Sequence, residues 1–316
     1  MTLLAYIGAA LVAAPVVLAQ DMPQARMLSP GVISTANNEF GGAISADGRT
    51  LMFSSGLPHY YGDELYMSHR LPDGGWSTPQ LAPFSRRGRN FDATFSPDGL
   101  TVLFASDRAA GPTGLARYYS LYEAHWIHGG WSQPTRMPAP INDNEHGQRG
   151  EPFATMAADG SIYFTGVTRE GGLAIYVTHR TAGAYWPAEK LGPTINATVV
   201  TAEPAIAPNQ SFLVFSALER PGGAGNWDIW ISRRRTDGSW EEAQPLGPAV
   251  NTPQRDYSPR LEPDGHTLLF TSERYFAADP SVPLTWASVK AGMATAQNGH
   301  GSLYEIDLRS IAPDEL

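Results

Sequence analysis

The stretch Asp92-Ala-Thr-Phe-Ser-Pro-Asp-Gly-Leu-Thr-Val-Leu-Phe104 decides how this chain folds. A carboxylate opens it, a short strand runs to Ser96, Asp98-Gly99 turns the chain back, and an apolar strand from Thr101 ends in phenylalanine. An Asp-Gly pair between two such runs is a strong hairpin signal. The same order recurs from Glu39 through Asp47-Gly48 to Phe53, and from Glu151 through Asp159-Gly160 to Phe164. It returns from Glu203 through Asn209-Gln210 to Phe215, and from Asp256 through Asp264-Gly265 to Phe270. Short strands repeating at about 50 to 60 residues predict a β-propeller, since each such unit buries its apolar faces only against its neighbours.

Working outward, each repeat carries two further strands. A third is expected at Glu64–Arg70, Leu121–Trp126, Ile175–Arg180, Asp228–Arg234 and Leu303–Arg309. A tryptophan and a proline then mark an outer strand: Trp76 and Pro79, Trp131 and Pro134, Trp186 and Pro187, Trp240 and Pro245. Proline suits an edge strand, where its missing N–H removes nothing from the ladder. The last repeat has no such tryptophan, so Arg26–Ile33 is expected to supply its fourth strand and close the ring. The fold class is therefore all-β: a five-bladed propeller of four-stranded antiparallel blades, repeats near 39–84, 90–142, 150–196, 201–251 and 256–311. A sixth blade has no sequence to build it.

These residues resemble the TolB-like or WD40-like (PD40-type) propeller repeats of bacterial envelope proteins. The resemblance rests on Phe95-Ser-Pro-Asp-Gly99 with Phe104 and Ser106-Asp-Arg108, on Glu262-Pro-Asp-Gly265 with Phe270 and Ser272-Glu-Arg274, and on Trp227-Asp-Ile-Trp230. It spans nearly all of the chain after the amino-terminal segment. Asn209-Gln210 in repeat four and the missing Ser-acid-Arg ending in repeat one depart from the pattern. The resemblance implies an envelope propeller whose relatives include protein-docking modules, protease accessory domains and a few polysaccharide lyases, so function by fold is analogy.

Residues 1–19 read as a signal peptide with Val17 and Ala19 at the cleavage site, leaving 20–316 as one propeller domain in the periplasm or outside the cell. No Lys or Arg precedes the apolar run, which leaves an uncleaved anchor as the alternative. The chain has no cysteine, which excludes disulfides, thiolate metal sites and a lipid-modified cysteine. A formal charge of −9 argues against nucleic acid and anionic membrane surfaces as partners. A monomer is expected, with no membrane contact beyond export.

Topology places the five acids Glu39, Asp92, Glu151, Glu203 and Asp256 at the start of the innermost strands, as a ring around one channel mouth. Arg108, Arg169, Arg220 and Arg274 follow the second strands and should emerge on the same face, pairing with the acids. Converging carboxylates are the alternative, a hard-cation site for Ca²⁺; no other cofactor is expected. The repeat breaks at Leu57-Pro-His-Tyr-Tyr61 and in the long connection Tyr275–Gly301, which ring closure makes neighbours. Glu39 and Asp256 are a candidate acid and base or nucleophile, with His59 as a base or metal ligand. Tyr60, Tyr61, Arg274, Tyr275, Trp286 and His300 are candidate ligand-binding residues, the aromatics for stacking on sugar rings. A second polar cluster, Asn144-Glu-His-Gly-Gln-Arg149, brings His146 and Gln148 near the acid ring. No nucleophile elbow, zinc helix or phosphate loop occurs.

The reading is a non-catalytic exported propeller that binds an envelope protein, a peptide or a glycan through its loop-rich face. The alternative is a carbohydrate-active hydrolase or lyase at the blade 1 and blade 5 side of the channel mouth.

Overall fold

The computed structural model describes residues 23–57, 61–85, 88–108, 119–142, 153–275 and 285–316, with the backbone alone for Leu57 and Tyr61. Five four-stranded antiparallel sheets form a ring. From the axis outward, strands a to d are Asn38–Ile44, Thr50–Leu57, Tyr61–His69 and Gln80–Leu81 in blade 1, and Asn90–Phe95, Thr101–Ser106, Ser120–Ile127 and Thr135–Arg136 in blade 2. Blade 3 has Ala154–Met156, Ile162–Val167, Leu173–Thr178 and Glu189–Lys190, and blade 4 has Thr201–Ile206, Phe212–Leu218, Trp227–Arg233 and Gln244–Pro245. Blade 5 has Asp256–Leu261, Thr267–Ser272 and Ser302–Asp307, completed by Arg26–Met27, which pairs Arg26 with Glu305 and Met27 with Tyr304. The ring closes as the sequence predicts.

The second strands are apolar throughout because both of their faces are covered. In blade 2, Val102 and Phe104 pack toward blade 1 while Leu103, between them, packs toward blade 3. Separate apolar clusters fill the interfaces between blades 3 and 4, 4 and 5, and 5 and 1 in the same manner. The Asp-Gly turns need glycine for its left-handed backbone, as at Gly99 with φ 72°. In blade 4 the same position is Gln210 at φ 60°, and its amide bridges Tyr163 Oη and Asp159 of blade 3 at 2.8 Å each. That contact accounts for the departure from Asp-Gly.

The tryptophans do not form the outer strands. Trp76 and Trp240 sit in the preceding hairpins, bridged to Arg70 and Arg234, whose guanidinium groups cover the indole rings at 4.3 and 5.7 Å. Strand d is the two-residue piece after each of these hairpins, too short to show a strand pattern in sequence. It is extended by a side chain. Asn251 donates to Ile229 O and accepts from Ile229 N, and Asn142 and Asn196 do the same for Leu121 and Ile175. Ser34 and Ser85 serve this purpose in blades 5 and 1.

The expected arginine ring is a set of staples between blades. Arg108, Arg220 and Arg274 donate to Phe84 O, Ile195 O and Val250 O, carbonyls just past the outer strand of the preceding blade. Arg274 meets an acid of the expected ring, Asp256 at 3.3 Å; Arg220 meets Glu242 instead, and Arg169 is exposed. The long connection in blade 5 contains a helix, Trp286–Met293, capped by Thr285.

Candidate functional site

Alignment by hydrogen-bond register separates the acids into two positions. Glu39 and Asp256 lie at the position of Asn90, one residue short of the aromatics Phe40, Phe91 and Tyr257. Asp92 and Glu203 lie two residues further on, at a β-bulge shared with Gly41 and Ser258, and both have positive φ, 55° and 58°. The distinction is present in the spacing: Glu39, Glu151 and Asp256 precede their turns by eight residues, Asp92 and Glu203 by six. A shift of two keeps the side of the strand in a regular ladder, but the bulge re-aims the residues that come after it.

Glu39 and Asp256 are buried and held locally. Glu39 accepts from Thr35 N and Oγ1 at 2.9 and 2.6 Å, and Asp256 from Thr252 N and Oγ1 at 2.6 and 2.8 Å. Burial pushes both carboxyl groups above their ordinary range, against these bonds. Neither lines the axial cavity. Asp92 and Glu203 do, and each reaches into another blade. Asp92 Oδ1 meets Arg260 at 2.9 Å, with both side chains almost wholly buried, and a Cβ at Gly41 would collide with this carboxylate. Glu203 accepts from Ser258 N at 2.7 Å and Ser258 Oγ at 3.2 Å. In blades 1, 2 and 4 that bulge N–H goes to a hydroxyl of the preceding blade, Thr271, Ser54 or Thr165. Glu203 takes the place of Ser216, whose Oγ has no partner among the described residues.

The cavity they line, about 280 Å³, lies on the axis at the loop-rich face. Phe40, Phe91, Tyr119, Phe153 and Tyr257 wall it, with Phe91 edge-on to Tyr119 at 4.7 Å between ring centroids. Two guanidinium groups stand among the rings. Arg89 lies 4.6 Å from the Tyr119 centroid and bonds Asp107 at 3.0 Å; Arg255 lies 4.1 Å from Tyr257 and 5.0 Å from Trp227. A second cavity of about 290 Å³ opens at the turn face of the axis, and Arg260 lines it. The Asp92–Arg260 pair therefore divides the channel.

The third carboxylate of the upper cavity is Asp63. The c-strand register aligns it with Tyr119, Leu173, Trp227 and Gly301, so it breaks a largely apolar column. It is 2% exposed, and its Oδ1 has no hydrogen-bond partner among the described residues. Gly56 makes room for that oxygen, since a Cβ there would strike it. Burial, and secondarily the Glu64 charge, push its carboxyl up to about 6 against the pull of Arg89. Asp63 therefore sets a carboxyl group of raised pKa into the cavity wall, with Oδ1 packed against Gly56. Sequence reading missed Asp63, and missed Arg89, Arg255 and the aromatic wall with it. Aligning Asp63 with Tyr119 and Trp227 would have exposed it.

The blade 1 and blade 5 contact exists: Asn298 Nδ2 donates to Ala36 O at 2.9 Å, and the His300 ring lies 3.4 Å from the same carbonyl. Tyr275 and Trp286 are 59% and 74% exposed. His59, Tyr60, Glu151 and the cluster with His146 and Gln148 lie outside the described residues, as does the amino-terminal apolar run. Among the described residues, no three His, Asp or Glu side chains are grouped to hold a metal ion, and no helix is long and apolar enough to cross a membrane.

No protein-family model matches the chain, and no curated protein matches it. Solved structures do. The TolB-type structure from Agrobacterium tumefaciens matches at 18% identity over 75% of this chain and 70% of its own, with a TM-score of 0.47. TolB from Acinetobacter baumannii matches at 16% identity over 85% of this chain and 54% of its own, with a TM-score of 0.48. A thermostable family-43 glycoside hydrolase matches at 11% identity over 89% and 92%, with a TM-score of 0.50. At 11% identity the likeness to the glycoside hydrolase is one of fold alone.

Proposed function

We propose that the protein binds a glycan, seating one sugar residue in the axial cavity of its loop-rich face. The observation that carries this reading is the aromatic wall of the axial cavity, with the Asp63 carboxyl group and the Arg89 and Arg255 guanidinium groups set into it. A sugar ring offers an apolar face to aromatic side chains and hydroxyl donors at its edge, and Arg89 and Arg255 suit an acidic substituent. The apolar amino-terminal run supports export, so the partner is an envelope or extracellular glycan.

Titration calorimetry against neutral and acidic monosaccharides and their oligomers tests this. Binding at micromolar to millimolar concentration that drops at least tenfold in Asp63→Asn is the expected result. No sugar bound at about 10 mM, the limit of the assay, or equal binding by the variant, refutes it. A second reading is hydrolysis of the bound glycan, favoured by a carboxyl held up to about 6 beside Asp92 and Glu203. Release of reducing ends that stops in both Asp63→Asn and Glu203→Gln distinguishes it from binding alone.

A further inference from the structure

Arg255 faces two spaces at once. It closes one side of the axial cavity, and it also lines an open groove of about 850 Å³ over blades 4 and 5. The groove is polar, with Glu219, Asn226, Gln254 and Glu273 along it, and Tyr275 stands 59% exposed at its edge. The Tyr275 backbone is held by a bridge to Asn298.

Among the described residues, the cavity is closed below. Its far end is the Asp92–Arg260 pair, and Arg260 belongs to the lining of the separate cavity below. A chain entering from the loop-rich face cannot thread the axis, so it must present an end. At about 280 Å³ the cavity is also at the lower limit of ligand sites, which run from about 300 to 1,000 Å³. Anything longer than one sugar residue has to continue outside, and the groove begins at Arg255, the residue that the two linings share.

We infer that the ligand is an oligosaccharide bound by its terminus, with the terminal residue in the axial cavity and the next residues lying past Arg255 along the blade 4 and blade 5 groove toward Tyr275. This rests on the glycan reading. It adds the direction of the chain, a requirement for a free end and a second set of contacts. Tyr275 then acts as an outer stacking platform, remote from the first residue.

The test is calorimetry with galacturonate and glucose and their linear oligomers of two, four and six residues (about 10⁻³ to 10⁻⁷ M in Kd being accessible). Affinity is expected to rise at least tenfold from monomer to tetramer. Tyr275→Ala should weaken the hexamer about five- to tenfold and leave the monomer unchanged; this residue is exposed, so the variant folds. A cyclic oligosaccharide of the same units should not bind. Equal affinity for monomer and hexamer, equal weakening of both by Tyr275→Ala, or tight binding of the cyclic form overturns the inference while leaving the glycan reading intact. Failure of every monomer and oligomer to bind overturns the glycan reading itself.

Discussion

Replacing Arg260 by methionine should destabilise the propeller in a strongly pH-dependent way. The guanidinium and the Asp92 carboxylate are 2.9 Å apart with side chains 3% and 1% exposed, so removing the cation leaves a buried anion without this counter-charge. The native state can escape by protonating Asp92. At pH 7 that costs about 4 kcal/mol, three pH units above the ordinary aspartate value of about 3.9 at 1.36 kcal/mol per unit. At pH 5 the same step costs about 1.5 kcal/mol. The loss in Arg260→Met should therefore shrink by about 2 to 3 kcal/mol between pH 7 and pH 5. Asp92→Asn behaves differently. It strands a guanidinium that stays charged over this range, so its cost, about 3 to 5 kcal/mol, should not vary with pH. The double variant Arg260→Met/Asp92→Asn should recover most of either loss, because two neutral groups carry no desolvated charge. Urea unfolding of the four proteins at both pH values measures all of this. A cost below 1 kcal/mol for Arg260→Met at pH 7, where about 4 is expected, or one equal at both pH values, would refute the reasoning.

Burial, reinforced by Glu305 and Asp264, pushes the Glu262 carboxyl up to about 7. Between about 4.5 and 7 the folded state then holds this proton more tightly than the unfolded chain, so stability falls as pH rises through that window; Glu262→Gln should raise the stability at pH 8 by about 1 to 2 kcal/mol after screening, seen as a higher melting temperature, and leave it nearly unchanged at pH 4. Asn251→Ala removes bonds of 2.8 and 2.9 Å to the backbone of Ile229 and should cost about 2 to 3 kcal/mol in denaturant unfolding, whereas an exposed asparagine such as Asn209 should cost far less. Calcium is expected to leave the melting temperature unchanged, because Glu39, Asp92, Glu203 and Asp256 are engaged by Thr35, Arg260, Ser258 and Thr252. A rise at millimolar calcium that disappears in Glu151→Gln would instead support the cation reading of the acid ring.

The fold was legible because its signals are local and repeated. Asp98-Gly99 followed by Thr101–Phe104 specifies a hairpin by turn chemistry and apolar content, and four further copies fix the period. Ring closure was legible too, since a last repeat lacking its tryptophan segment requires a strand from elsewhere. The outer strands were misplaced because two residues carry no periodicity, and because Asn251 and its counterparts replace backbone with side chain. The site was harder. Which acids face the axis depends on a bulge, and the spacing that encodes it, six residues against eight, means nothing until strand registers are known. Arg260 and Asp92 are separated by 168 residues, and no local pattern could have joined them. Asp63 was within reach of an alignment of the third strands, where Tyr119 and Trp227 occupy the same column in other blades; that the column faces a cavity is visible only in the fold.

The pairing of Arg26 with Glu305 spans 279 residues and so governs the order of events in folding. A polypeptide synthesised from its amino terminus keeps Arg26–Met27 waiting until the strand Ser302–Asp307 has been made. Blades 1 to 4 each draw every strand from one continuous segment, whereas the fifth sheet has to recruit its outermost member from the other end of the sequence. Until that pairing forms, the outer edge of strand Ser302–Asp307 stays open, so closing the ring carries the entropic cost of joining segments far apart in sequence.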